Sequence, residues 1–268
     1  SFIEPPHALV APALFIKLKF WVSLAGAIWL VFGVPASPFI YHVESVPLSL
    51  ITTAQWAHSP YVRAIELLGY GNKGLSIYLR RDLPIGSGFG ISGASALAAC
   101  LELDKNLQNC TLAAHQAEIE YKTGLGDVVA ISSALSVGNF PLIVERRTPG
   151  ANGETSTYSV KNKLAICISG MGRNTSEIIS SPEWAEIINT VSLNLNVADY
   201  DIRSVIKAGR IFTEKSGLIN ENLAEILDSI PLGAVSSVAH LGTSIIAVSD
   251  NIEELAECLE KFGEVKIY

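Results

Sequence analysis

The sequence is poor in cysteine and has no excess of positive charge. Its 268 residues include four cysteines, at Cys100, Cys110, Cys167 and Cys258, whose spacing matches neither a metal site nor a disulfide framework. They are expected to be core thiols in a reducing compartment, which places the protein in the cytoplasm. Nineteen basic residues stand against 26 acidic ones, and the net charge of −7 without a basic cluster argues against nucleic acid as the main partner.

Charged residues are also scarce overall, which excludes a disordered chain. The composition is 49% apolar and 17% charged, so a large buried core is expected. The length suits one large domain or two closely packed halves. We find no internal repeat, low-complexity tract or linker that would separate such halves.

One segment, Phe20–Val34, contains no charge at all. It is fifteen residues long, whereas a membrane-spanning helix needs about 20. A secretory signal would begin with positive charge and end at a small-residue cleavage site, but Glu4 and two prolines open this chain. We therefore predict two adjacent buried strands that meet near Gly26, rather than a membrane segment.

The most informative segment is LPIGSGFGISGASALAA, residues 83–99. It contains four glycines, at Gly86, Gly88, Gly90 and Gly93. A β-prone run, residues 74–79, precedes it, and a helix-forming run, residues 92–103, follows. Glycines allow close approach of a ligand, and a helix start offers unpaired N–H groups and a positive dipole end. The segment therefore predicts an anion site, most often one for phosphate, to which Ser87, Ser92 and Ser95 could add hydroxyls.

Three phosphate-loop patterns can be compared with this segment. Walker A needs a lysine after its last glycine, and no lysine occurs between Lys73 and Lys105. The dinucleotide pattern G-x-G-x-x-G is present at Gly88–Gly93, but a helical run, Thr111–Tyr121, follows where a second strand is required. The third pattern, P-x-G-x-G-x-G-x-S at residues 84–92, resembles the ATP loop of the GHMP kinases. A turn that merely connects two elements is the remaining alternative, and four glycines with three serines disfavour it.

A second glycine-containing loop lies between two predicted helices. The helix 111–121 carries Glu118 near its end, the loop TGLGD follows, and the next helix is predicted over residues 127–135. Asp127 is thus expected at a helix N-terminus, directly after Gly124 and Gly126. A plain N-cap aspartate is the structural alternative. The two glycines and the nearby Glu118 favour a functional carboxylate.

The patterns further along the chain predict an α+β architecture with helices on one face of a sheet. The predicted elements are strands at 140–145 and 157–160 joined by a hairpin at Pro149-Gly150, a buried strand at 163–169, mostly helix over 174–230, two β runs within 234–249, a helix at 253–262 and a last strand at 264–268.

Several stretches together resemble the archaeal pantoate kinase family, a branch of the GHMP kinase superfamily that acts in coenzyme A biosynthesis. They are LPIGSGFGISGASALA, AEIEYKTGLGDVVA, VERRTPGA, EKSGLINENL, and SSVAHLGTSIIAVSD followed by KFGEVKIY. The resemblance covers residues 74–268 in the same order. Residues 1–45 follow the family pattern less closely, and Ile131 stands where the family usually has glutamine. The resemblance implies the GHMP-kinase fold, with a ribosomal-S5-like half over 1–150, a ferredoxin-like half over 151–268 and an active site between them.

The resemblance implies an ATP-dependent kinase that phosphorylates the primary hydroxyl of pantoate to 4-phosphopantoate with Mg²⁺. The residues implied in ATP binding are Pro84, Gly86, Ser87, Gly88, Gly90, Ser92 and Gly93. Ser92 and Glu118 would hold the metal, and Gly124 and Gly126 would face the substrate. Asp127 would orient or deprotonate the hydroxyl, and His7 would contact either the transferred phosphate or Asp127. The substrate carboxylate needs a cation, and the candidates are Arg80, Arg81, Arg146 and Arg147.

Two alternatives to this function stay open. A GHMP kinase for another small alcohol, such as mevalonate, would share everything except the N-terminal pocket. A non-catalytic relative that binds nucleotide or a partner would keep the glycine loop and tolerate an altered N-terminal segment. The expected partners are pantoate and ATP, with neither nucleic acid nor membrane, and a homodimer is left open as the state of assembly.

Overall fold

The computed structural model describes residues 40–45, 59–71, 75–79, 83–124, 126–138, 142–170, 175–195, 197 and 200–268. The strands predicted within Phe20–Val34 lie outside these residues, as do the candidates His7, Arg80 and Arg81. Among the helices of the described ranges, none combines the length and the apolar character needed to span a bilayer.

The N-terminal part places helices beside two short sheets. Its elements are β1 (Ile40–Ser45), α1 (Pro60–Leu67), β2 (Leu75–Leu79), α2 (Ile91–Leu103), α3 (Leu107–Tyr121), α4 (Asp127–Val137), β3 (Leu142–Arg146) and β4 (Thr155–Ser159). Strands β1 and β2 pair antiparallel, and β3 and β4 form the predicted hairpin. Helix α2 is buried along most of its length, because alanines and other small or apolar residues occupy nearly all its positions. It packs against α1, α3 and α4, and so its first turn is held firmly.

Helix α3 begins four residues earlier than predicted. The sequence pattern placed its start at Thr111, but the structure begins it at Leu107. The reason is a cap: the Asn106 side chain accepts a hydrogen bond from the Asn109 N–H at 3.1 Å. Asp104 in turn accepts from the Asn106 N–H at 2.8 Å, so the connection from α2 is a short, hydrogen-bonded turn.

The C-terminal part is built on a four-stranded antiparallel sheet of order β6-β7-β5-β8. Its elements are β5 (Ala165–Ile168), α5 (Thr175–Ile179), α6 (Pro182–Leu193), α7 (Ile202–Ser216), α8 (Glu221–Asp228), β6 (Val235–Val238), β7 (Ile245–Val248), α9 (Ile252–Leu259) and β8 (Glu264–Ile267). The predicted order of strands and helices is confirmed. Ser181 caps α6 and Asn220 caps α8, because their side chains accept hydrogen bonds from the Trp184 and Leu223 N–H groups.

Both faces of this sheet are covered, whereas the sequence pattern suggested helices on one face only. Because strand residues alternate between faces, Cys167 and Ile245 lie in one buried cluster with residues of α8 and α9. Their neighbours Ile166 and Ile246 belong to the largest buried cluster, which also contains residues of α2, α3, α4 and α7. That cluster therefore joins the two parts of the chain, and the division at residue 150 stays a prediction.

The cysteines are all free thiols. Cys100, Cys110 and Cys167 are buried, which agrees with their predicted place in the core. Cys258 differs, because it is partly exposed on α9, where its Sγ donates to the Ser229 carbonyl at 3.1 Å.

Candidate active site

The glycine loop, residues 83–90, adopts a backbone that requires glycine. Gly86, Gly88 and Gly90 have φ of 80°, 98° and 62°, which L residues with a side chain rarely adopt. Gly90 occupies the cap position of α2, and no side chain of the described residues caps that helix. The described part of the chain therefore leaves the first N–H groups of α2 without a side-chain cap, and the predicted anion site there stays a prediction.

The three serines of this segment point in different directions. The Ser87 hydroxyl donates to the Pro84 carbonyl at 2.6 Å, and the Ser95 hydroxyl donates to the Ile91 carbonyl at 2.7 Å. Both side chains are buried, and the Ser87 backbone N–H also donates to the Pro84 carbonyl, at 3.4 Å. Ser92 instead donates to Oε1 of Glu118 at 2.6 Å. The structure therefore brings together the two residues predicted to hold a metal.

Glu118 is a buried carboxylate with one oxygen unsatisfied. Its side chain is 1% exposed, and Oε1 accepts from Ser92 and from Thr123 Oγ1, the latter at 2.5 Å. Oε2 is buried and has no hydrogen-bond partner among the described residues. Burial raises the pKa of Glu118, and the two hydroxyl donors oppose that rise. A buried oxygen of this kind calls for a proton or a cation.

Asp127 is the first residue of α4, and the cap position belongs to Gly126. The alternative of a plain N-cap aspartate is therefore wrong for this chain. Burial and the neighbouring negative charge of Glu118 raise the pKa of Asp127 to about 7, and the positive charge of Arg146 opposes the rise. A carboxyl group with a pKa near neutrality can exchange protons at physiological pH.

Three glycines bring these carboxylates next to the glycine loop. A Cβ added at Gly90 would lie 2.8 Å from Cβ of Asp127, and one at Gly93 would lie 3.1 Å from Oε2 of Glu118. A Cβ at Gly124 would overlap Oε2 of Glu118 and would lie 3.0 Å from Oδ2 of Asp127. The two carboxylates therefore converge on one point beside the start of α2. Gly124 lies directly against both carboxylates. The contacts of Gly124 and Gly126 with a substrate remain predictions.

A buried histidine that no sequence pattern singled out, His115, is influenced by the charge of Arg146. His115 is buried on α3, three residues before Glu118, and this spacing places both residues on one helix face. Burial and the charge of Arg146 lower the pKa of His115 to about 4, so the imidazole is neutral near pH 7. The positive charge of Arg146 therefore acts on both His115 and Asp127.

The two described candidate arginines are distinguished by their surroundings. Arg146 is buried at the end of β3 and donates through Nη2 to the Gly150 carbonyl at 2.7 Å. Arg147 is exposed, and its Nη2 lies 3.2 Å from Oε2 of Glu145. Because Arg146 alone of these two influences Asp127 electrostatically, it is the arginine that the fold directs to the site.

Two tyrosines bind the Glu145 side chain of β3. Tyr158 and Tyr200 stack with ring centroids 4.3 Å apart and an angle of 2° between their planes. Both hydroxyls donate to the Glu145 carboxylate, at 3.0 Å from Tyr158 and 2.6 Å from Tyr200. Glu145 precedes Arg146 on β3, and successive side chains of a strand point to opposite faces, so the two tyrosines lie on the face opposite to Arg146.

The oxygen atoms gathered at this place suit a hard cation, and a bound molecule would supply the cation's remaining ligands. Within the described ranges, no three His, Cys, Asp or Glu side chains are grouped to hold a metal by themselves. Glu118, Asp127 and the Ser92 hydroxyl supply oxygen atoms at one place, and Oε2 of Glu118 lacks a partner there. Mg²⁺ is commonly held by one or two carboxylates, with phosphate oxygens and waters as its other ligands.

Comparison with known proteins identifies relatives of this chain. The sequence profile described as "GHMP kinases N terminal domain" matches residues 59–134. A pantoate kinase of Methanospirillum hungatei is 31% identical over 213 residues, which cover 75% of this chain and 68% of the relative. A pantoate kinase of Methanocaldococcus jannaschii is 31% identical over 209 residues, covering 75% of this chain and 74% of the relative.

A solved structure with a similar fold can be compared with this chain. It is described as a phosphotransferase related to the CoA biosynthesis pathway, and it superposes with a TM-score of 0.58. The match covers 78% of this chain and 72% of that chain, at 23% sequence identity. At this identity the likeness concerns the fold, which agrees with the α+β arrangement described above.

Proposed function

The chain belongs to the pantoate kinase family of the GHMP kinases, and from this premise we propose that it transfers the γ-phosphoryl group of ATP to the primary hydroxyl of pantoate. The family, the GHMP-kinase α+β fold and the class of enzyme, a phosphotransferase, are confirmed predictions. One observation carries the proposal for the site: Glu118 and Asp127 converge beside the uncapped start of α2.

The glycine loop and the start of α2 are proposed to bind the ATP phosphates. The residues in this role are Pro84, Gly86, Ser87, Gly88, Gly90, Ser92 and Gly93. Phosphoryl transfer depends mainly on positioning and on neutralising charge, which the N–H groups and the dipole of α2 supply. The Ser87 hydroxyl and its backbone N–H both donate to the Pro84 carbonyl, at 2.6 and 3.4 Å, so Ser87 would have to release one of these bonds to bind a phosphate.

Glu118 and Ser92 are proposed to hold Mg²⁺. Bound there, the ion would neutralise charge on the phosphates. The unsatisfied Oε2 of Glu118 would gain a ligand, and this would stabilise the ionised form of the carboxyl group against its burial. The Ser92 hydroxyl keeps lone pairs for a cation while its proton goes to Glu118.

Asp127 is proposed to orient the substrate hydroxyl and accept its proton. The hydroxyl oxygen then forms a bond to the γ-phosphorus, the bond from that phosphorus to the bridging oxygen breaks, and ADP leaves. A pKa of about 7 leaves Asp127 able to take up the proton and release it afterwards. The proposed contact of His7 with the phosphate or with Asp127 lies outside the described residues.

Arg146 is proposed to bind the pantoate carboxylate. Arginine suits a carboxylate because its planar group can donate two parallel hydrogen bonds. Arg146 is buried near Asp127, whereas Arg147 is occupied by Glu145 at the surface. Arg80 and Arg81 lie outside the described residues.

Replacing Arg146 with methionine should raise the KM for pantoate by about tenfold to 100-fold, the range expected for losing a charged hydrogen bond. The KM for ATP should change much less. Arg147→Met is the matched control, because it removes the same charge one residue away from the site. Steady-state kinetics with each substrate varied would measure both constants. A pantoate KM in Arg146→Met equal to that of Arg147→Met would exclude Arg146 from the carboxylate site.

Replacing Gly90 with alanine should weaken ATP binding, because the new Cβ would lie 2.8 Å from Cβ of Asp127 and would shift the loop. Gly138→Ala is the control: Gly138 also has a positive φ, at 69°, but nothing lies within 4 Å of an added Cβ. Both variants should lose about 1–2 kcal/mol of stability from backbone strain. Calorimetric titration with ATP should separate them, and equal affinities would contradict the proposed phosphate site.

The whole proposal is tested by incubating the protein with ATP, Mg²⁺ and a panel of small alcohols, and by identifying the phosphorylated product. Formation of 4-phosphopantoate is the expected result. Preference for mevalonate or another alcohol would instead support a different GHMP kinase. Nucleotide binding without turnover of any alcohol would support a non-catalytic relative. The cytoplasmic location and the state of assembly stay predictions.

A further inference from the structure

A turn of the C-terminal part, Ala239–Gly242, packs directly against the glycine loop. We call it the supporting turn. A Cβ added at Gly88 would overlap the Ala239 carbonyl oxygen, and one at Gly242 would overlap the backbone of Ser87 and Gly88. The Ser244 N–H, just after the turn, donates to the Ser87 carbonyl at 3.3 Å. The two backbones are therefore in direct contact, and the position of the turn sets the position of the loop.

The supporting turn is itself tied to helix α7 through His240. This histidine is 3% exposed, its ring meets Phe212 edge-on with centroids 5.5 Å apart, and its Nε2 lies 2.5 Å from Oγ1 of Thr213. The single hydroxyl proton of Thr213 goes to the Gly209 carbonyl at 2.8 Å. With that proton on the Gly209 carbonyl, the Thr213 oxygen can accept from Nε2 of His240, which also lies 3.4 Å from the same carbonyl oxygen.

Helix α7, which carries Thr213, is tightly packed on its buried face. Ile206 and Phe212 on its buried face are fully enclosed, and they belong to two different buried clusters. Leu241, the next residue of the supporting turn, packs with Phe212 in one of those clusters. The chain of contacts thus runs from α7 through Thr213 and His240 to the supporting turn, and from there to Gly88.

We propose that His240 is a positioning residue for nucleotide binding: its hydrogen bond to Thr213 anchors the supporting turn to α7 and thereby holds the glycine loop in its phosphate-binding conformation. The inference rests on the proposed function in one respect, namely that the anion held by the loop is the phosphate chain of ATP. His240 is not proposed to contact the reacting atoms.

The test uses Thr213→Val, which keeps the shape of the side chain and removes its hydroxyl. We expect the Kd for ATP to rise by about tenfold, the size expected for losing one buried hydrogen bond. Thr213→Ser, which keeps the hydroxyl, should restore the parent affinity. Thr111→Val is the matched control, because Thr111 also donates to the carbonyl four residues earlier, that of Leu107 on its own helix α3, but its other partner is Ser132 on α4.

Two further measurements keep the inference separate from a general loss of stability and from the proposed function. Amide hydrogen exchange of the ligand-free protein should be faster at residues 86–90 in Thr213→Val and unchanged there in Thr111→Val. The KM for pantoate should stay close to that of the parent. If Thr213→Val does not fold, His240→Phe removes the same bond and keeps the ring. Parent-like ATP affinity and parent-like exchange at residues 86–90 in the folded variant would overturn the anchor, whereas failure of the parent to phosphorylate pantoate would overturn the proposed function alone.

Discussion

Replacing Asp127 with asparagine should lower the turnover of pantoate by about 100-fold or more, the usual loss when a general base is removed. Asparagine keeps the size of the side chain but can neither accept the hydroxyl proton nor carry the negative charge. ATP binding should change little, because the glycine loop and the start of α2 are untouched. Steady-state kinetics together with ATP titration would measure both effects.

Asp201→Asn provides the control for this substitution. Asp201 caps α7 through hydrogen bonds to the Arg203 and Ser204 N–H groups, and asparagine caps about as well as aspartate. Turnover should therefore stay at the parent level in Asp201→Asn. Turnover at the parent level in Asp127→Asn as well would end the catalytic assignment.

The raised pKa of Asp127 adds a pH dependence with a definite sign. As a base it must be deprotonated, so kcat/KM for the parent should fall as the pH drops below about 7. Because its folded pKa lies above its unfolded value, its contribution to stability is present near pH 4 and is lost as the pH rises through about 7. Ligand-free Asp127→Asn should therefore melt higher than the parent at pH 8, with a gap that closes at lower pH. A gap that does not vary with pH would contradict the raised pKa.

Replacing Glu118 with glutamine should raise the Mg²⁺ concentration needed for half-maximal activity by about tenfold or more and lower the maximal rate. Glutamine can still accept the hydrogen bonds of Ser92 and Thr123 through Oε1, so the local structure should be retained. The loss is the negative charge at the position of Oε2. Activity measured over a range of Mg²⁺ concentrations would show the shift.

Glu120→Gln is the matched control for Glu118. Glu120 lies on the same helix, but it is exposed and its Oε2 pairs with Nε of Arg63 at 2.6 Å. Its replacement should leave the Mg²⁺ requirement at the parent value. Without ligands, Glu118→Gln should also melt no lower than the parent, since it removes a buried charge whose ionised form burial disfavours. An unchanged Mg²⁺ requirement in Glu118→Gln would remove Glu118 from the metal site.

Local signals in the amino-acid sequence were enough to predict several elements. The glycine spacing before α2, the TGLGD loop before α4 and the hairpin of β3 and β4 were all predicted, because turn residues and hydrophobic periodicity act over a few positions. The start of α3 was placed four residues late, since the cap at Asn106 lies outside the apolar pattern. Membership of the family also came from the sequence, through motifs that occur in a fixed order.

Which of these residues lie together could be seen only in the folded protein. It brought Ser92, Glu118 and Asp127 to one point, gave the cap of α4 to Gly126, and directed Arg146 rather than Arg147 to the site. It also placed the supporting turn beneath Gly88, more than 150 residues away along the chain. Such contacts depend on how buried surfaces pack and how closely backbones can approach, and a local pattern carries no record of either. The pKa of Asp127 follows for the same reason, because its burial and its charged neighbours exist only in the folded chain.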